Sequence, residues 1–258
     1  MLKYMGGVAL ALMLGLAGPA SAVESWSLAD DFSTSNGNPN GAWTYGWYRA
    51  GTAEFSLYAT PVSGTQSGSN YVDWEQSTGG GQWQGFVLKN LGPNPMTEWG
   101  YYEPEQVILH PGITTAEDGS GAEIGHTATA RWTAPEAMTV DVSALFTGQV
   151  PSGTTTFCYV IKNYGAIATG PIDGFYGSAA NGYADRSGTS FMSYSGQFTL
   201  EAGDFIDFAV DFDTNPYDGI AGTHISDSTG LAVTITEVPE PATLGLLMLG
   251  GWLLRRRS

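Results

Sequence analysis

The sequence predicts an all-β protein: a single antiparallel β-sandwich of jelly-roll type, with an N-terminal signal peptide and a short hydrophobic helix at the C-terminus outside the fold. Three observations predict it. Apolar residues recur with period two, and no stretch of the body keeps a helical period. Thirty-six glycines stand against nine lysines and arginines in 258 residues, a profile rich in turns. Cys158 is the only cysteine, so no disulfide framework is available and a body of roughly 215 residues must rely on one sizeable core.

Taken in order, the chain opens with Lys3, an apolar segment over residues 8–17 (VALALMLGLA), and the small-residue site Ala20-Ser21-Ala22. This is a secretion signal of the kind the Sec machinery exports, with Ala22 its last residue. Residues 1–22 are therefore set apart, residues 23–237 form the sandwich, and residues 238–258 form the tail. From 33 to 85, Gly, Ser, Asn and aromatic residues alternate, and strands are expected around 43–48, 54–58, 71–74 and 83–88. The proline-rich stretch 90–110 reads as a long surface connection. In MTVDVSALF, Val140, Val142, Ala144 and Phe146 alternate with Thr139, Asp141 and Ser143. In TTTFCYVIK, Cys158 and Val160 share a face, which makes Cys158 a buried structural thiol. In FIDFAVDFD, Ile206, Phe208 and Val210 alternate with Asp207, Ala209 and Asp211; in LAVTITEV, Leu231, Val233 and Ile235 share an uncharged face. These read as strands with one wet and one buried face. Turn signals at 148–153, 163–165 and 200–204 separate them.

The tail, VPEPATLGLLMLGGWLLRRRS, has 13 apolar or near-apolar residues from Ala242 to Leu254. As a helix they reach about 20 Å, short of the ~30 Å of a bilayer core. Such a segment spans only with bilayer thinning and snorkelling arginines, which suits a temporary hold.

Without its two ends the chain keeps five basic and 24 acidic residues, an excess of about 19 negative charges. Nucleic acid is excluded as a partner, since its binders need a basic patch. A neutral polysaccharide, Ca²⁺ or water remains compatible.

Enzyme signatures are absent: there is no Gly-x-Ser-x-Gly elbow, no His-Glu-x-x-His and no phosphate-cradling loop. No catalytic residue is assigned, and no cofactor is required. In DFDTNPYDG, Asp211, Asp213, Asn215 and Asp218, with Asp227 beyond, supply hard oxygen ligands at a spacing that suits Ca²⁺; an exposed strand running into an Asx-rich turn explains them equally. In WTYGWY, Trp43, Tyr45 and Trp47 share a strand face. Sugar rings stack on exposed aromatic faces, so the three are glycan-binding candidates, with core packing the competing explanation. Arg131 is expected to hold a buried carboxylate in a structural ion pair.

Two resemblances follow from these residues. Pro239-Glu240-Pro241, the apolar run and Arg255, Arg256 and Arg257 together resemble a PEP-CTERM sorting signal. The resemblance implies an exosortase substrate, held briefly in the inner membrane of a Gram-negative-type bacterium, then cut and moved to the cell surface or an exopolysaccharide matrix. The pieces DDFS, NPNGAWTYGW, LHPG, RWTAPEAMTVDVS, FTLEAGDFIDFAV and DSTGLAVTI resemble a secreted jelly-roll domain, similar to carbohydrate-binding modules, with no assigned reaction. The leading expectation is a non-enzymatic exported surface or matrix protein that contacts glycan. A carbohydrate-active enzyme using a carboxylate pair, and a purely structural matrix protein, are the alternatives.

Overall fold

A computed structural model describes residues 23–49, 52–76, 85–115, 123–177, 189–212 and 227–239. The elements are β1 (Ser25–Ser27), α1 (Leu28–Asp31), β2 (Trp43–Arg49), β3 (Phe55–Leu57), β4 (Thr60–Gln66), β5 (Ser69–Glu75), β6 (Phe86–Asn90), β7 (Val107–His110), β8 (Gly112–Thr115), β9 (Glu123–Thr133), β10 (Met138–Gly148), β11 (Thr154–Lys162), β12 (Gly165–Gly174), β13 (Phe191–Leu200), β14 (Phe205–Phe212) and β15 (Thr229–Glu237). They form two antiparallel sheets. The eight-stranded sheet runs β13-β10-β15-β7-β6-β5-β4, with β1 added to β15; the seven-stranded sheet runs β12-β11-β14-β9-β2-β3, with β8 added to β9.

The two sheets face each other across one core, and period two decides what enters it. From the eight-stranded sheet come Val140, Val142, Ala144, Phe146, Leu231, Val233 and Ile235; from the other come Trp43, Tyr45, Trp132, Cys158, Val160, Ile206, Phe208 and Val210. All are buried, and each strand's intervening residues face outward. The one-turn helix α1 is started by Ser27, whose Oγ accepts the Asp30 N–H at 3.2 Å. Its Leu28 is drawn into the same core. Burial pushes the Cys158 thiol far above its ordinary pKa, consistent with a structural role.

Two expectations need correction. The stretch 90–110 is not all connection, because Val107–His110 is a central strand between β6 and β15. Its residues are buried on both faces because residues 91–106 fold back over it: Met96 and Tyr102 pair with each other and pack on Leu88 and Ile108 as a second small core. Asp207 does not face water either; its side chain has no exposed surface and is capped by Arg131. Of the strand expected at 83–88, residues 83 and 84 lie outside the described residues.

Candidate functional site

Trp43 and Tyr45 are the first site candidates to place, and the structure puts both in the core. Their face of β2 looks inward, where Trp43 lies 6.4 Å from Phe208 and Tyr45 4.7 Å from Phe32. Large rings gain more by filling a sandwich interior than by standing in water, so neither offers a face to a sugar. Trp47 is partly buried and stacks on His126 at 3.8 Å, while His126 Nδ1 donates to Gln76 Oε1 at 2.6 Å. Burial pushes the His126 pKa down to about 4, with Arg49 adding to the effect.

The opposite face of the same strand leads to a site. Tyr48 points onto the outer surface of the seven-stranded sheet, and its hydroxyl donates to Asp207 Oδ2 at 2.5 Å. Arg131, opposite Asp207 in the register of β9 and β14, donates from Nε to Oδ1 at 2.7 Å and from Nη2 to Oδ2 at 3.0 Å. The guanidinium lies between two rings, 3.9 Å from the centre of Phe55 and 3.8 Å from that of Phe205. Phe55 reaches this position because Gly46 carries no side chain; a Cβ there would stand 2.7 Å from the Phe55 ring and 2.2 Å from the Ser56 carbonyl oxygen. The ion pair expected of Arg131 is thus present, and bidentate. Burial pushes the Asp207 carboxyl up, and the bonds from Arg131 and Tyr48 offset part of that rise.

Beside this rigid cluster lies a groove of about 280 Å³. Tyr48, Arg49, Thr52 and Ala53 form one wall, Tyr159, Ile161 and Tyr164 the other, and Thr127 and Asp211 the rest of the lining. Asp211 Oδ1 accepts the Phe212 N–H at 2.8 Å. Burial raises its pKa above the usual carboxylate range, and bonds from Phe212 and Thr127 hold it back. Among the described residues, Asp211 is the one carboxylic acid in the lining.

Tyr164 is held in the groove by the turn joining β11 to β12. Asn163 and Tyr164 both have positive φ, 47° and 69°, as the central residues of a type I′ hairpin turn do. Asn163 fits that role: its Nδ2 donates to Asp204 Oδ1 at 2.8 Å and its Oδ1 accepts the Phe205 N–H at 2.9 Å. Tyr164 does not fit it, since glycine is the residue such a position favours and a bulky side chain is an outlier there. The ring is nevertheless 61% exposed, edge-on to Phe205 at 4.9 Å. Sequence reading found this turn at 163–165 but missed its tyrosine; Asn-Tyr where Asn-Gly is usual was the available signal.

The calcium candidates are divided. Asp211 lines the groove, and Asp227 is buried just before β15. Asp213, Asn215 and Asp218 lie outside the described residues. Among the described residues, no three His, Cys, Asp or Glu side chains come together as a metal-ligating group. Of the sorting residues, Pro239 follows β15, while Ala22, Glu240, Pro241, Arg255, Arg256 and Arg257 lie outside the described residues. No helix among the described residues is long and apolar enough to cross a membrane.

Comparison with known proteins bears on both parts of the chain. Residues 237–257 match the PEP-CTERM protein-sorting motif, which implies export to the cell surface. No curated protein matches the chain. Among solved structures, the chain is similar to a family 35 carbohydrate binding module from Clostridium thermocellum, at 12% identity over 51% of this chain and 91% of that one, with a TM-score of 0.24. It is also similar to the K1 cleaved adhesin domain of Lys-gingipain from Porphyromonas gingivalis, at 10% identity over 71% and 100%, with a TM-score of 0.28. A third similarity is to the mannan-recognising module TmCBM27, at 8% identity over 84% and 95%, also with a TM-score of 0.28.

Proposed function

We propose that this is a non-enzymatic, exported surface protein that binds neutral glycan in the groove of its seven-stranded sheet. The observation that carries the reading is Tyr164: an exposed ring kept at a strained backbone position, facing a groove with hydroxyls and one carboxylate. Strain of this kind persists where surrounding structure over-determines it and clusters at functional positions. A ring for the C–H face of a sugar, with Thr127 and Asp211 for its hydroxyls, matches the usual make-up of a small-molecule site. The binding reading is favoured over hydrolysis because glycoside hydrolysis ordinarily uses two carboxyl groups across the scissile bond, and among the described residues the groove lining has one.

The sorting motif completes the proposal. The tail holds the chain in the inner membrane until an exosortase cuts near Pro239-Glu240-Pro241 and passes the body outward, to polysaccharide at the surface. A glycan array probed with the full chain and with Tyr164→Gly tests the binding: neutral polysaccharides retain the parent and lose the variant. Equal retention of both, or silence of the whole array, refutes it. Deleting residues 237–257 is expected to leave the protein out of the outward surface fraction; unchanged surface delivery would refute the sorting role.

A further inference from the structure

The outer face of the eight-stranded sheet carries a second cleft, of about 480 Å³, over β7, β15 and β10. Gln106, Thr147 and Gln149 are part of its lining, and buried Gly230 of β15 lies beneath them. A Cβ there would stand 2.3 Å from Gln106 Nε2, 2.6 Å from Thr147 Oγ1 and 2.8 Å from Gln149 Nε2. Three polar side chains therefore pack down onto a backbone position that only a glycine makes room for. Gln106 Oε1 accepts the Glu103 N–H at 2.9 Å, which leaves the amide N–H groups of Gln106 for the cleft. Gln149 Nε2 donates to the Thr147 carbonyl and hydroxyl at 3.3 and 2.7 Å, which leaves Gln149 Oε1 as an acceptor. Gln149 is 3% exposed, so this acceptor belongs to the fold rather than to a mobile surface, while the Gln106 donor is partly exposed.

Two tyrosines flank the cleft. The Tyr101 N–H donates to the Gln149 carbonyl at 2.7 Å and the Tyr176 N–H to the Gly148 carbonyl at 2.9 Å. Consecutive carbonyls at the end of β10 thus pin both residues. Tyr101 meets Phe175 edge-on at 6.3 Å and Tyr176 meets Phe191 at 5.6 Å, and Tyr176 stays 48% exposed. Glu105, at the rim, is neutralised by Lys89 at 2.6 Å. Glu103 adds a carboxylate to the lining, and amides, a carboxylate acceptor and aromatic faces are what recognise the vicinal hydroxyls and C–H faces of an uncharged sugar.

We infer that this cleft is a second binding site for neutral polysaccharide, and that one molecule therefore links two glycan chains. The linking rests on the glycan-binding reading of the groove. The groove and the cleft lie on the outer faces of opposed sheets, which in a sandwich stack about 10 Å apart. They open in opposite directions, so one straight segment does not fill both. Two sites on one body hold a polysaccharide network by multivalency, without any added contact.

Isothermal titration of the full chain with linear hexasaccharides of glucose, mannose and galactose, each in turn, tests this. The variants are Tyr101→Ala with Tyr176→Ala, Gly230→Ala, and Tyr164→Gly, with melting curves to verify folding. Gly230→Ala pushes against Gln106, Thr147 and Gln149; where its melting curve shows a lost fold, the tyrosine pair carries the test instead. The expected result is two sugars per chain, one of them weakened about tenfold or more by Gly230→Ala and by the tyrosine pair, the other by Tyr164→Gly. One site that is lost in Tyr164→Gly and untouched by Gly230→Ala overturns the second site and leaves the groove standing. One site with the reverse behaviour keeps the cleft and refutes the groove. Two sites that survive the cleft variants overturn the assignment, and no heat with any of the three sugars overturns both.

Discussion

Replacing Tyr164 by glycine separates stability from binding. A left-handed conformation costs an L-residue roughly 1–2 kcal/mol, and glycine recovers that. Against it stand the lost edge-on contact with Phe205, worth about 0.5–1.5 kcal/mol, and the greater unfolded-state freedom of glycine, about 0.5–1 kcal/mol. The ring is 61% exposed, so little burial is forfeited. These terms nearly cancel, and Tyr164→Gly should fold within about 1 kcal/mol of the parent. Tyr164→Ala loses the same ring yet keeps the strain, and should be the less stable variant by roughly 0.5–1 kcal/mol. In a domain of this size that separates the two melting temperatures by about 1–4 °C. Both variants should bind glycan about tenfold more weakly, or worse. Thermal melts by circular dichroism and calorimetric titration provide the two readouts. An alanine variant melting at or above the glycine variant would refute the strain argument. A glycine variant with parental affinity would refute the assignment of the ring to the ligand.

Other expectations follow from the charged groups. Arg131→Ala leaves Asp207 buried without a counter-charge and should cost about 3–5 kcal/mol in urea unfolding; replacing both partners with Met and Leu should recover most of it, and a loss under 1 kcal/mol for the single change would contradict the pair's role. Burial raises the Asp73 carboxyl from 3.8 to about 7, with Glu75 adding to it. The folded protein then keeps a proton that the unfolded chain releases, so stability falls as pH rises from about 4 to 7. Asp73→Asn should raise the melting temperature at pH 8 and leave it unchanged at pH 3; equal shifts at both would rule out this titration. Asp211 accepts sugar hydroxyls best when ionised, and its pKa lies above the usual carboxylate range. Glycan affinity should therefore weaken on acidification before an ordinary carboxylate titrates, and Asp211→Asn should flatten that profile.

The sheets were largely legible in the sequence because alternation is a local signal. Val140 to Phe146 and Ile206 to Val210 declare their buried face within a few residues. The same alternation misplaced Asp207, because what buries it comes mainly from other strands: Arg131 lies opposite it in β9, and of the two rings holding that arginine Phe55 comes from β3 and only Phe205 from its own strand. Trp43 and Tyr45 were assigned to one face correctly, but composition does not say whether a row of rings faces sugar or core. The strand Val107–His110 hid inside a proline-rich stretch, since its second buried face exists only once residues 91–106 fold back. Both proposed binding surfaces were harder still. The groove needs β2, β9, β11 and β14 side by side, and the cleft needs Gln106, Thr147 and Gln149 to meet over a glycine more than 80 residues away from each of them.

The pairing of β1 with β15 sets a timetable. Ser25 faces Thr236 across that ladder, and the Glu237 N–H donates to the Glu24 carbonyl at 2.8 Å. A chain that emerges N-terminus first must hold its first strand in waiting until nearly the whole body has crossed, because pairing at such separation closes late. The last strand to arrive sits directly before Pro239. On the proposed export route, closure of the sandwich and presentation of the sorting tail therefore fall together, so that a body still missing β15 would have no tail outside for a processing enzyme to cut.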